Sequence, residues 1–254
     1  MNNPVTVLVG FGASSPEARA VYSHIEEAVR RHRPDHEVRW AYTSGRIAAK
    51  LRELGVTLPT VEETIAGLAH RSAVFQPLLT VPGQEYAKLS QLAGNGFRIG
   101  RPLLDDAHSI DEVIAAIESA FLKGSVNVLV CHGNRRHAEY NSRLLALACA
   151  VERRHANVVV ASVEGSPGLA PLERAREMAR AAGSVHFVPF MLAAGEHIVN
   201  DVMGGHAESW KNRIGAAHVS CAPSLGWNPQ VLAIYLRRLD AALDELKGQA
   251  DGRL

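Results

Sequence analysis

Val126-Asn127-Val128-Leu129-Val130-Cys131-His132-Gly133 decides how the chain is read, because it repeats Val5-Thr6-Val7-Leu8-Val9-Gly10-Phe11-Gly12 in position and polarity. Each stretch is a β-branched apolar run closed by glycine, the pattern of a buried parallel strand running into a loop. A strand that restarts midway through 254 residues predicts two similar halves. Outward from the first copy, Ser15 can cap a helix whose first position is Pro16, where proline is favoured. Val21, Ile25, Ala28 and Val29 share one face of that helix, and Arg30-Arg31-His32-Arg33 crowds the end where positive charge is favoured, before Pro34 stops it.

A strand is expected at 37–42, then a helix opened by Thr43 or Ser44 that carries Ile47, Leu51 and Leu54 and stops at Gly55. Thr60 with Glu63 forms a capping box, and Ser109 with Glu112 is expected to form another before the helix at 113–121. Further strands are expected at 73–81 and 97–104. Outward from the second copy come a helix near 138–153, a strand at 157–163, a helix near 170–182 and a strand at 185–191. This alternation predicts an α/β fold of two similar Rossmann-like lobes, residues 1–123 and 124–254, each a parallel sheet flanked by helices. Ligands are then expected outside the carboxyl ends of the strands, in a cleft between the lobes.

Composition narrows the partners. With 47% hydrophobic and 21% charged residues the chain folds around a core, and its net charge of +1 supplies no global field for nucleic acid or a membrane surface. The longest apolar runs, such as 144–151, fall far short of the roughly 20 residues of a membrane span. Met1-Asn2-Asn3-Pro4 has no basic leader, so a cytoplasmic protein is expected. Its three cysteines are widely spaced, which argues against disulfides and against a cysteine metal site.

Chemistry concentrates at strand ends. His132 closes one strand, Glu164 the next, and Gly195-Glu196-His197 follows the third, while Glu85 holds the matching place in the first half. His132 to Glu164 is 32 positions and Glu164 to His197 is 33, the spacing of successive βα units. Each residue alone suits an ordinary loop, but together two imidazoles and a carboxylate suit a borderline divalent ion. Gly10-Phe11-Gly12-Ala13-Ser14-Ser15 lacks the third glycine of a dinucleotide fingerprint, and neither a phosphate loop nor a G-x-S-x-G elbow occurs, so no ATP and no nucleotide are expected. The amides around Gly10, with Phe11 and Ser14, are instead candidates to hold a carboxylate.

These segments resemble the anaerobic sirohydrochlorin cobaltochelatases, a class II chelatase group related to ferrochelatase. The resemblance is carried by Gly10-Phe11-Gly12-Ala13-Ser14, Tyr42-Thr43-Ser44-Gly45-Arg46, Gln76-Pro77-Leu78, Gly83-Gln84-Glu85-Tyr86, His132-Gly133, Val163-Glu164, Gly195-Glu196-His197-Ile198-Val199-Asn200-Asp201, Ser209-Trp210-Lys211 and Gly226-Trp227-Asn228-Pro229. It implies ATP-independent insertion of divalent cobalt, as substrate, into a tetrapyrrole on the cobalamin route, in a two-lobed chelatase-like fold that admits a homo-oligomer. It also implies metal on His132, Glu164 and His197, with Glu85 as a further catalytic group. Arg46 and Arg135 are expected to meet substrate carboxylates, and Trp210, or Trp227, to stack on the macrocycle. Leu79 and Cys131 depart from the family pattern. Rival readings are a chelatase for iron, nickel or another ring, and a non-catalytic carrier of metal or tetrapyrrole.

Overall fold

The computed structural model describes residues 3–92 and 96–251; Met1 and Asn2 of the leader argument lie outside them. The first part of the chain runs β1 (Val5–Gly10), α1 (Pro16–His32), β2 (Val38–Tyr42), α2 (Gly45–Glu53), α3 (Val61–Ala66), β3 (Ala73–Pro77), α4 (Gln84–Ser90) and β4 (Phe97–Ile99). It continues through α5 (His108–Ile117), β5 (Val126–Cys131), α6 (Ser142–Arg154), β6 (Val158–Ser162), α7 (Pro171–Ala182), β7 (Ser184–Phe190), α8 (Trp210–Ile214), β8 (His218–Cys221) and α9 (Pro229–Asp251).

The repeat read from the sequence is a repeat of topology. The strands form two parallel sheets of four, ordered β2-β1-β3-β4 and β6-β5-β7-β8. In each, the chain leaves the central strand on one side and returns on the other. That reversal falls between β1 and β3, and between β5 and β7, and it opens a crevice at the carboxyl ends of those strands. Register matches too, with Gly10 opposite Tyr42 in one sheet and Cys131 opposite Ser162 in the other.

β1 and β5 are buried at every position, as their unbroken apolar runs require. The polar exception in β5 is satisfied: Asn127 accepts from the Leu122 amide at 2.8 Å and donates to the Leu122 carbonyl at 3.1 Å. The second sheet packs Val126, Val128, Val130, Val159 and Ala161 against Leu172, Ala175 and Ala179 of α7. The first buries Val5, Val7 and Val9 with Phe75 and Leu89.

Ser15, Ser44 and the Thr60–Glu63 box cap their helices as expected. Ser109 does not. It lies inside α5, and Asp106 does the capping, its carboxylate accepting from the Ser109 amide at 2.8 Å while the Ser109 hydroxyl donates to the Asp106 carbonyl at 2.6 Å. A carboxylate is favoured there both as acceptor and by the helix dipole. Leu54, expected on the buried face of α2, is the C-cap residue and 70% exposed.

The chain divides into two compact units, Met1–Leu103 with Leu232–Leu254, and Leu104–Val231. The sequence division at 123/124 differs from this at both junctions. α5 belongs with the second sheet. α9 belongs with the first, because Leu232, Tyr235 and Leu239 line one small cavity with Leu8, Ile25, Val29 and Leu78. Tyr235 also donates to the Leu79 carbonyl at 3.0 Å, and Asp240 accepts from Arg33 at 2.6 Å.

Candidate active site

His132 is the first residue after β5, and His197 follows β7, so both stand at the crevice of the second sheet. Their rings meet edge to face with centroids 5.0 Å apart. Each ring is held through Nδ1. For His132 the partner is the Gly133 carbonyl at 2.8 Å, and for His197 it is the Asp201 carboxylate at 2.6 Å. His132 is exposed and His197 partly so, which leaves both open to a solvated ion.

The loop that presents His132 is built by asparagine and glycine. Asn134 and Asn141 clasp each other, the Asn134 amide donating to Asn141 Oδ1 at 2.7 Å and Asn141 Nδ2 to the Asn134 carbonyl at 2.8 Å. Gly133 has φ +74, and a Cβ there would stand 1.7 Å from the Glu164 carbonyl oxygen. Gly165 has φ +65, and its Cβ would stand 2.2 Å from the Asn134 carbonyl oxygen. Two neighbouring loops therefore touch backbone to backbone, which only glycine permits.

Glu164 arrives through that same contact. Strand pairing runs on past β6, with the Val163 amide donating to Cys131 at 3.0 Å and the Glu164 amide donating to His132 at 2.8 Å. Backbone pairing brings residues side by side without making their side chains converge. Among the described residues no three His, Cys, Asp or Glu side chains group closely enough to hold a metal ion. The expected trio of His132, Glu164 and His197 is thus a pair of imidazoles with a carboxylate-bearing neighbour, not a closed cage. Cys131 adds no ligand, since it is fully buried and burial pushes its thiol up to about 12.

The other expected site residues divide between the two units. Trp210 is 3% exposed and packed into the core beside α7, so it cannot stack on a ligand; its apolar area is spent on the fold. Trp227 is 43% exposed. Gly10 is buried at the end of β1, where a Cβ would lie 2.9 Å from Tyr22, and the Gly12 amide donates to the Tyr22 hydroxyl at 3.3 Å, so the loop amides are not all open to a ligand. Phe11 is 49% exposed, and the Ser14 carbonyl accepts from Arg19 at 3.2 Å. Arg46 and Arg135 are exposed cations on α2 and on the loop after His132. Glu85 sits in the first turn of α4, within the first unit, 3.8 Å from Lys88. The residue missed from sequence is Asp201, whose signal was its place four positions after His197.

Solved structures place this fold. SirB from Bacillus subtilis with Fe3+ aligns at TM-score 0.63 and 14% identity over 97% of this chain and 98% of that one. A sirohydrochlorin chelatase SirB in complex with cobalt, from Bacillus subtilis subspecies spizizenii, aligns at 0.60 and 14% over 97% and 98%. Two repeated parallel sheets of four, each with a crevice at its strand ends, are the fold these chelatases share with this chain. The family model described as cobalt chelatase (CbiK) matches residues 5–244, and the chain belongs to that family. Its relatives include a sirohydrochlorin cobaltochelatase from Salmonella typhimurium, 29% identical over 83% of this chain and 85% of that protein. Another is the sirohydrochlorin cobaltochelatase CbiKC of Nitratidesulfovibrio vulgaris, 28% identical over 94% and 90%.

Proposed function

We propose that the protein inserts divalent cobalt into sirohydrochlorin without ATP, with the ion handled at His132 and His197. The observation that carries this reading is the imidazole pair, 5.0 Å between centroids, at the crevice of the second sheet. Insertion exchanges two pyrrole N–H protons for one ion, so the protein must present the metal and receive protons without holding either tightly. Neutral imidazole does both near neutral pH, and a site of two nitrogens with no sulfur releases a borderline ion readily. Glu164, beside His132, offsets the charge of the ion, and Glu85 is a further proton acceptor. Arg46 and Arg135 are free to meet the carboxylates of the macrocycle. The three unpaired cysteines suit a reducing cytoplasm, and no helix among the described residues is long and apolar enough to cross a membrane.

The test is anaerobic mixing of the protein with sirohydrochlorin and, separately, cobalt, iron and nickel, following the change in the macrocycle's absorption. Many turnovers, fastest with cobalt, are expected. A signal that stops at one equivalent would identify a carrier, and a faster rate with another ion would overturn the metal assignment. His132→Ala and His197→Ala should each lower turnover by about a hundredfold or more while leaving the fold intact.

A further inference from the structure

We infer that Asp201 is a positioning residue that fixes the proton and ring orientation of His197, so that the two imidazoles present matched, unprotonated Nε2 atoms to the ion. This rests on the reading of His197 as a cobalt ligand.

Both rings are bonded at Nδ1 to groups that only accept. The Gly133 carbonyl, 2.8 Å from His132, has no hydrogen to give, and the Asp201 carboxylate oxygen, 2.6 Å from His197, stands as the acceptor of that pair. Each neutral ring therefore carries its hydrogen on Nδ1 and its lone pair on Nε2. Neither Nε2 has a hydrogen-bond partner among the described residues. Without such a partner at Nδ1, a neutral imidazole is free to place its hydrogen on Nε2 and close that nitrogen to a metal.

Asp201 is itself held in place. Residues 197–202 form a wide π-helical turn, in which the Met203 amide reaches back five residues to Ile198 at 3.0 Å. The Asn200 carbonyl, central to the turn, accepts from the Gly204 amide at 3.1 Å and from His206 Nε2 at 2.9 Å. Gly204 must be glycine, because a Cβ would lie 2.1 Å from that carbonyl oxygen. A second strut runs from Asn200 Nδ2 to Glu196 at 2.7 Å. The Glu196–Asn200 and His197–Asp201 pairs stand side by side, so the glutamate, asparagine and aspartate of the Gly195–Asp201 motif all serve to orient one imidazole. A carboxylate behind a ligating imidazole fixes its tautomer, and losing such a partner typically weakens metal binding about 10- to 100-fold.

The experiment uses the metal-free protein first. Long-range proton–nitrogen NMR should show His132 and His197 both with hydrogen on Nδ1. In Asp201→Ala, His197 should lose that signature while His132 keeps it. Cobalt added without tetrapyrrole, followed by its visible absorption, should bind about 10- to 100-fold more weakly to Asp201→Ala. Asp201→Asn, which keeps an acceptor oxygen at the same place, should recover part of the loss and serves if the alanine variant folds poorly. An unchanged His197 signature in Asp201→Ala, or cobalt affinity within twofold of the parent, overturns the inference. The NMR arm needs no metal. If it succeeds and His197→Ala binds cobalt like the parent, the ligand reading has failed and the positioning contact stands.

Discussion

Replacing Gly133 by alanine isolates the contact that sets His132 beside Glu164. The new Cβ would lie 1.7 Å from the Glu164 carbonyl oxygen, and Cβ atoms essentially never approach within 3.0 Å, so one backbone must shift by about 1.3 Å. The Glu164–His132 and Val163–Cys131 hydrogen bonds, 2.8 and 3.0 Å long, cannot both survive that shift. Losing them costs about 1 kcal/mol each. The left-handed backbone at φ +74 adds roughly 1–2 kcal/mol once a side chain is present. The expected destabilisation is therefore roughly 3–4 kcal/mol, read as a drop in melting temperature of roughly 6–16 °C. Two controls separate the causes. Gly183 has φ +69 with nothing within 4 Å of its Cβ position, so Gly183→Ala carries the backbone strain alone. Gly195 has neither a positive φ nor a neighbour within 4 Å, and Gly195→Ala should be close to neutral. Thermal unfolding of the three variants, with cobalt insertion measured on each, decides the matter. A Gly133→Ala protein no less stable than Gly183→Ala would refute the claim that the two loops are in enforced contact.

Trp210→Ala should destabilise by about 3–5 kcal/mol, because the ring is 3% exposed in the second core. Trp210→Phe should leave KM for the tetrapyrrole unchanged, and a large rise in KM would return that residue to the binding surface. Stability should fall on acidification below about pH 6.5, checked by urea midpoints at several pH values. Burial pushes the His186 and His36 imidazoles below 6.5, so the unfolded chain binds more protons than the folded one as the pH falls through that value. His186→Gln should shallow this slope. Asp106→Ala removes the cap of α5 and should cost about 0.5–2 kcal/mol in thermal unfolding.

Strand positions and helix starts were legible because their causes are local: apolar runs, a proline at a first turn, a hydroxyl before a helix. β8 was not, being four residues long and exposed or half-exposed along its length. α9 shows helical spacing in Leu232, Tyr235, Leu239 and Leu246, but nothing in it names Leu8 and Ile25 as its partners, so the sequence could not say which unit it joins. The imidazole pair was readable from strand ends. Trp210 was misread because a tryptophan in a recognisable motif looks alike whether it binds or packs, and only burial separates the two. For Glu164 the βα spacing reported where the backbone goes, beside His132, and not how its carboxylate stands to the two rings.

What distinguishes the two units is the way each closes the loop after its central strand. In the first, the loop is packed onto α1: Tyr22 fills the space above Gly10, takes the Gly12 amide and sits edge-on to Trp40 and Tyr42 at 5.3 and 5.9 Å. The residue left outside is Phe11. In the second, the loop is closed against its neighbour through Gly133 and Gly165, which meet the backbone of Glu164 and Asn134, and the residue left outside is His132. The same strand order therefore presents an apolar ring at one crevice and an imidazole at the other. Frame and chemistry are separable here because the exposed position after the central strand contributes little to either core. A repeated fold can thus keep its packing while the residue it exposes after the central strand differs from one sheet to the other.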